Sequence, residues 1–359
     1  MIRRLLTLNG LAVLGVAINH ATGYGFRAMF DMLRRSAIQT GPDLSRAGSL
    51  AFYSTVFFQQ LIFYTLPAFL FVSGFYLAFT AGKKPGISWD GVLPRIKTLL
   101  IPFLLWSLFF FVVLVQRLPS SLDDLFRQYY YIPILIELYL ISPLLIPLAK
   151  KHPVLLLSLS TIGELGRFSL EYLQALGINS PAIELLRAVT PQWMIPNLLF
   201  WFTLGIVAGV HRQKFVELLG RAKWFLLGAA VLLLPLTLIE YVAITRVSGS
   251  AWLGPYFGGY SRYLFSLAFL LSFLAFDKAR IPFNDQLSYL GSKSLGIYLA
   301  HEPVMYVTAV VIFKFLPWML NNQLLYQGTL IVVAIGVPVA IMHLWSRTPA
   351  RRVYRYVFG

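Results

Sequence analysis

The sequence contains no cysteine among its 359 residues. This absence excludes disulfide bonds, thiolate metal sites and a cysteine nucleophile. Charged residues are also scarce: they make up 12% of the chain, whereas a soluble domain carries about 25%. Hydrophobic residues make up 58%, and the mean hydropathy is +0.72. These values predict an integral protein of a lipid bilayer.

Acidic residues are the scarcer charged class, with 14 Asp and Glu against 30 Lys and Arg and a formal net charge of +16. The basic residues flank apolar runs instead of forming one patch, so we expect no nucleic-acid partner. Most of the 30 fall in cytoplasmic loops when the N-terminus is placed in the cytoplasm. The sequence therefore predicts a multi-pass protein of the plasma (inner) membrane with both termini in the cytoplasm.

Ten apolar segments approach the length of about 20 residues that a helical span needs. No repeat or low-complexity run separates them, so we predict a single all-α domain over residues 1–359, a polytopic membrane helical bundle of about ten transmembrane helices. The fifth segment is interrupted by Glu164, Arg167 and Glu171. The segments are 5–24, 52–80, 96–116, 131–149, 153–173, 195–210, 223–245, 257–277, 287–315 and 326–346.

The first segment carries a polar stripe. Asn9 and His20 lie eleven residues apart, which places them within roughly 20° on a helix and about 16 Å apart along its axis. Ionisable groups at membrane depth usually face a bundle interior or a wet cavity. His20 is therefore either a functional imidazole or a histidine that is hydrogen-bonded for packing alone.

Five stretches occur in a recognisable order: LNGLAVLGVAINH at 8–20, LPAFLFVSGFYLAF at 66–79, RIKTLLIPFLLW at 95–106, LFWFTLGIVAG at 199–209 and SLGIYLAH at 294–301. In order and spacing they resemble the membrane acyltransferase 3 family. The resemblance implies transfer of an acyl group, most often acetyl, from acyl-CoA to a carbohydrate or lipid-linked glycan. It also implies that His20 is the catalytic residue and that the basic residues of the third helix contact the donor.

The sequence departs from the family pattern at two positions. Asn9 stands where the family has an arginine in the first helix, and Thr98 stands where it has the second arginine of the third helix. Arg95 remains, with Lys97 nearby. An asparagine donates hydrogen bonds but does not neutralise phosphate. Donor binding is thus assigned to Arg95, Lys97 and Asn9, with Asn9 the weakest contributor.

The residues themselves suit this chemistry. Acyl transfer to a hydroxyl needs a base, and neutral imidazole is suited to that role. Arg95 and Lys97 lie at the cytoplasmic end of the third segment, where they can pair with a diphosphate, although the positive-inside pattern also explains them. We expect His20 and Arg95 to border one shared cavity.

Two further residues are candidates for supporting the site. His301 lies with Glu302 just before Pro303, which interrupts helical hydrogen bonding, and it either orients the site or packs in the core. Glu137 is a carboxylate in an apolar segment, and it either polarises His20 or pairs with Arg167.

The five histidines are scattered along the sequence without a short-spaced cluster, so we predict no metal site. We predict no permanently bound cofactor, with acetyl-CoA or another acyl-CoA acting as donor substrate. A transporter or exporter of glycan intermediates, without acyl transfer, is the main alternative. A non-catalytic membrane partner of glycan synthesis is a third hypothesis. The sequence leaves the oligomeric state open.

Overall fold

The computed structural model describes residues 2–32, 48–82, 84, 86–191, 193–249 and 259–359. Helices form nearly all of these residues, and no strand occurs among them. This confirms the prediction of an all-α membrane bundle. The helices are α1 Ile2–Arg27, α2 Leu50–Leu61, α3 Thr65–Ala81, α4 Trp89–Leu108, α5 Leu122–Arg127, α6 Tyr131–Lys151, α7 Pro153–Ala175, α8 Pro181–Val189, α9 Leu199–Val210, α10 Arg212–Ser248, α11 Tyr260–Ala275, α12 Asn284–Ser292, α13 Ser294–Phe315, α14 Gln323–Ser346 and α15 Tyr354–Phe358.

Seven helical stretches of the described chain are long and apolar enough to cross a membrane, and α9 and α11 are shorter apolar helices. The predicted segment 287–315 is divided, because α12 ends at Ser292 and α13 begins at Ser294. The predicted segment 153–173 coincides with α7, whose charged residues lower its hydropathy. The count of ten spans stays a prediction.

The motifs at 66–79 and 199–209 meet where α3 crosses α9. A Cβ atom added to Gly74 would lie 2.2 Å from the carbonyl oxygen of Phe202, and one added to Gly205 would lie 2.1 Å from that of Phe71. Only glycine permits backbones to approach this closely, as is common between helices in lipid. The Ser-Gly and Leu-Gly pairs therefore form one helix-helix contact.

Helix α1 carries a polar side chain near each end, Arg4 near its beginning and His20 near its end, and the two contact different helices. Near its beginning, the guanidinium of Arg4 donates to the carbonyl oxygens of Phe273, Phe276 and Ala279 at 3.2, 2.6 and 3.0 Å. These carbonyls lie at and just beyond the end of α11, where helical partners are missing. Near its end, α1 carries His20 next to α13.

Candidate active site

His20 and Glu302 form a close pair between α1 and α13. Nδ1 of His20 lies 2.8 Å from Oε2 of Glu302, and the two side chains are 21% and 8% exposed. The contact is an ion pair by distance, although Oε2 does not meet the angular requirement of a hydrogen bond. A carboxylate beside Nδ1 favours the tautomer that carries its hydrogen there and leaves the lone pair on Nε2. The pair is therefore built as a base with a carboxylate that orients it.

The carboxylate of Glu302 is itself held in place. The hydroxyl of Tyr24, one turn after His20 on α1, donates to Oε1 at 3.3 Å. The side chain of Gln128 also hydrogen-bonds to Glu302. These contacts, together with the ion pair to His20, compensate for part of the cost of burying the carboxylate.

His301 packs beside the pair without joining it. Its ring meets that of His20 edge to face, with centroids 4.9 Å apart. Its Nδ1 lies 2.5 Å from the carbonyl oxygen of Tyr298, while Nε2 is buried without a hydrogen-bond partner among the described residues. His301 thus restrains the plane of the catalytic candidate by contact.

Pro303 shapes this part of α13, as the sequence predicted. A proline lacks the N–H that would bond to the carbonyl four residues earlier, which here is that of Leu299. The hydroxyl of Tyr129 donates to this carbonyl oxygen at 2.9 Å. The interrupted helix is therefore satisfied by a side chain from the segment before α6.

His20 borders a cavity of ≈ 80 Å³, a volume that holds about three waters at liquid density. Its wall combines polar, aromatic and aliphatic side chains, a mixture suited to a ligand with hydroxyl groups and apolar faces. The polar members are Asn19, His20, Thr65, Glu164, Glu171 and Asn197, and the aromatic members are Phe63, Tyr130, Phe168, Trp201, Tyr263 and Tyr298.

Glu164 holds one wall of this cavity. Its Oε1 accepts from Nε1 of Trp201 at 2.8 Å, and its Oε2 accepts from the backbone N–H of Phe200 at 3.3 Å. Phe200 is in the first turn of α9, where backbone N–H groups lack helical partners and attract a negative charge. Glu164, one of the three charged residues that interrupt the fifth apolar segment, therefore holds α9 in place beside the cavity.

The structure gives Glu137 a partner other than the two that were predicted for it. Its Oε2 accepts from the backbone N–H of Ile195 at 2.9 Å, in the segment that leads to α9. The carboxylate beside His20 is Glu302, and Arg167 pairs instead with Glu171 at 3.0 Å, one turn further along α7. Glu137 supports the approach to α9 and does not contact the imidazole.

The donor candidates lie away from His20. Arg95 donates from Nη2 to Oγ1 of Thr80 at 2.9 Å, and Lys97 is exposed. The amide oxygen of Asn9 is buried and lacks a hydrogen-bond partner within the described ranges. None of Arg95, Lys97 and Asn9 is among the residues found to line the His20 cavity. The expectation of one cavity shared by His20 and Arg95 is not met.

Ligand atoms of His20, His301 and Glu302 lie within 4.8 Å of one another, so the histidine spacing in the sequence did not exclude a cluster. An ion bound to both His20 and Glu302 at about 2.0–2.2 Å in tetrahedral geometry would hold their atoms more than about 3 Å apart. The observed 2.8 Å is a hydrogen-bond distance. The residues fit an oriented base better than a ligand set, and the absence of a metal site stays a prediction.

Sequence reasoning named His20 but gave Glu302 no role. The available signal was a carboxylate next to the histidine that ends the motif at 294–301, in a segment otherwise without acidic residues. That signal does not rank Glu302 above Glu137, because both are single carboxylates in apolar helices. The rotation of α13 relative to α1 determines that Glu302 is the carboxylate that faces His20.

Comparison with known proteins identifies the family of this chain. Residues 7–343 match the model of the acyltransferase 3 family, described as an acyltransferase domain. The chain is 24% identical over 319 residues to the "Putative membrane-bound acyltransferase YfiQ" of Bacillus subtilis (strain 168), covering 84% of this chain and 83% of the relative. It is 25% identical over 346 residues to the "Succinoglycan biosynthesis protein ExoH" of Rhizobium meliloti (strain 1021), covering 86% and 82%. No solved structure matches.

Proposed function

Because this chain belongs to the acyltransferase 3 family, we propose that it transfers an acyl group, most often acetyl, from acyl-CoA to a hydroxyl of a carbohydrate or lipid-linked glycan. His20 is the catalytic residue and Glu302 is the positioning residue. The observation that carries the proposal is the 2.8 Å contact between them at the edge of the cavity.

The reaction follows from this pair. Glu302 holds the Nδ1–H of His20, and Nε2 takes the proton of the acceptor hydroxyl as its oxygen attacks the thioester carbonyl. Collapse of the tetrahedral intermediate breaks the carbon–sulfur bond, and the imidazolium returns its proton to the departing thiolate of CoA. The negative charge of Glu302 stabilises the imidazolium between these two proton transfers.

The cavity wall supports a carbohydrate acceptor. Carboxylate and amide groups such as Glu171 and Asn197 pair with hydroxyls, and aromatic faces such as those of Trp201 and Tyr263 pack against apolar ring surfaces. One relative carries succinoglycan biosynthesis in its name, and this supports a glycan as the acceptor class.

We assign donor binding to Arg95, Lys97 and, in a minor role, Asn9. Since none of them is among the cavity-lining residues, the phosphates of CoA bind at the membrane surface while the acylated pantetheine arm extends toward His20. Both chain ends lie near α12: Thr7 lies 3.1 Å from Ser288, and Lys293, directly after α12, bonds to Tyr354 at 3.3 Å. This supports one common side for the two ends, which we propose to be the cytoplasmic side of the plasma membrane.

The test compares His20→Ala with wild type in proteoliposomes that contain labelled acetyl-CoA and a glycan acceptor. We expect transfer to fall by about 10²- to 10⁴-fold, since a general base contributes that much. His343→Ala is the matched control and should retain activity, because His343 lies in the last turn of α14. Full transfer by His20→Ala would refute the proposal, and glycan flux without a donor would favour the transporter.

A further inference from the structure

The C-terminal segment is docked on α4 between Thr98, near the middle of the helix, and Trp106 in its last turn. Nε1 of Trp106 donates to the carbonyl oxygen of Val357 at 2.8 Å. Phe358 is 2% exposed, and its ring meets those of Trp106 and Trp345. Since buried aromatic contacts anchor it, the position of this segment on α4 is fixed by packing.

This docking brings Arg355 to Thr98. Nη2 of Arg355 donates to Oγ1 of Thr98 at 2.9 Å, while Thr98 donates in turn to the carbonyl oxygen of Pro94 at 2.9 Å. The guanidinium of Arg355 thus occupies the space that a longer side chain at position 98 would reach. Arg95 lies three residues before Thr98, and side chains at this spacing are neighbours on a helix surface.

The local charge around this pair of arginines is strongly positive. Lys97 is exposed on the same turn, and Asp90 in the first turn of α4 is the acidic residue of that helix. Arginine presents a planar fork of N–H donors that suits phosphate oxygens, and two forks side by side suit a doubly charged group. The C-terminal segment thus places a cation directly beside the uncharged threonine at position 98.

We propose that Arg355 is a donor-binding residue that acts together with Arg95 on the phosphates of CoA. This inference rests on the proposed function, since it names the group that holds its donor. It assigns the C-terminal segment a part in the site although that segment lies after residue 343, where the family match ends. The structural alternative is a latch, in which Arg355 only holds the C-terminal segment against α4 and does not contact the donor.

The experiment measures CoA binding by calorimetry to the full-length protein in nanodiscs, for wild type, Arg355→Ala and the double variant Thr98→Arg/Arg355→Ala. Arg355→Ala should weaken CoA binding by about three- to tenfold, the range between an exposed ion pair and a charge-assisted hydrogen bond. Thr98→Arg should restore the affinity in the Arg355→Ala background, because it returns a guanidinium to the same place. Binding of pantetheine, which has no phosphate, should stay unchanged.

Arg352→Ala is the matched control: it removes the same charge from the same segment three residues earlier, and thermal unfolding of each variant reports whether the segment stays docked. Equal losses in Arg352→Ala and Arg355→Ala would overturn the specific assignment, as would unchanged CoA affinity in Arg355→Ala. Loss of affinity that Thr98→Arg fails to restore, together with a lower unfolding temperature, would establish the latch instead. If wild type binds no CoA, the proposed function fails as well, whereas a failure confined to Arg355 leaves it standing.

Discussion

The contact between His20 and Glu302 makes a quantitative prediction for Glu302→Gln. The substitution keeps the shape of the side chain and removes its charge, so that the imidazolium formed during transfer loses its counter-ion. Two unit charges at the observed 2.8 Å attract by about 6 kcal/mol when the effective dielectric constant is about 20. That energy corresponds to about four orders of magnitude in rate.

Part of that attraction is lost to the partial exposure of His20, which is 21%. We therefore expect kcat to fall by about 10²- to 10⁴-fold in Glu302→Gln, with little change in the KM for acyl-CoA. The assay is steady-state transfer of labelled acetyl in proteoliposomes.

Two further variants test whether Glu302 acts through its charge and through His20. Tyr24→Phe removes the other contact of the carboxylate, at 3.3 Å, and should cost only a few-fold because the charge remains. If Glu302 acts only through His20, the double variant His20→Ala/Glu302→Gln should be no slower than His20→Ala alone. Wild-type kcat in Glu302→Gln would refute the reasoning.

Three further predictions concern other parts of the fold. Gly74→Ala should lower the stability by about 1–3 kcal/mol in thermal unfolding, because its Cβ meets a carbonyl of the facing helix, whereas Gly228→Ala, with no atom within 4 Å, should be neutral or stabilising; equal effects would contradict this. Glu137→Ala should cost about 1 kcal/mol in unfolding through its lost backbone hydrogen bond while leaving the pH profile of transfer unchanged, and a shifted profile would argue for a role at the imidazole. The Arg117 guanidinium lowers the pKa of Asp124 to about 2, so this ion pair should stabilise its loop above pH about 4 and lose that effect as the pH falls toward 2; a carboxyl NMR titration should show the pKa rising in Arg117→Gln, and an unchanged midpoint would contradict the assignment.

The extent of sequence-based prediction differs between the fold and the site. Apolar runs located most helices, because the length of an apolar run sets where a helix is stable in lipid. They missed polar helix ends: α10 begins at Arg212, eleven residues before the predicted segment 223–245. The break at Lys293 between α12 and α13 was missed, since the run of residues 287–315 shows no proline or charge cluster there. His20 stood out because an imidazole in an apolar helix is costly and therefore rare.

The pairing of side chains between helices could not be predicted from the sequence. Glu137 and Glu302 are alike in local context, yet Glu137 bonds to Ile195 and Glu302 to His20. Likewise, nothing in the sequence relates Arg355 to Thr98, which lie 257 residues apart. Each of these contacts depends on the rotation of one helix against another, and a shift of one residue would turn the side chain by about 100°.

The sequence by itself determined that this chain is a helical membrane protein, that its five motifs follow the order of a family, and that one imidazole lies within the first helix. Composition and local periodicity suffice for these, because each depends on residues within a single segment. Tertiary structure alone decided which carboxylate lies beside His20, which side chains line the cavity, and which cation lies beside Thr98. These depend on packing between segments far apart in the chain, where glycine contacts and interrupted helices set the register.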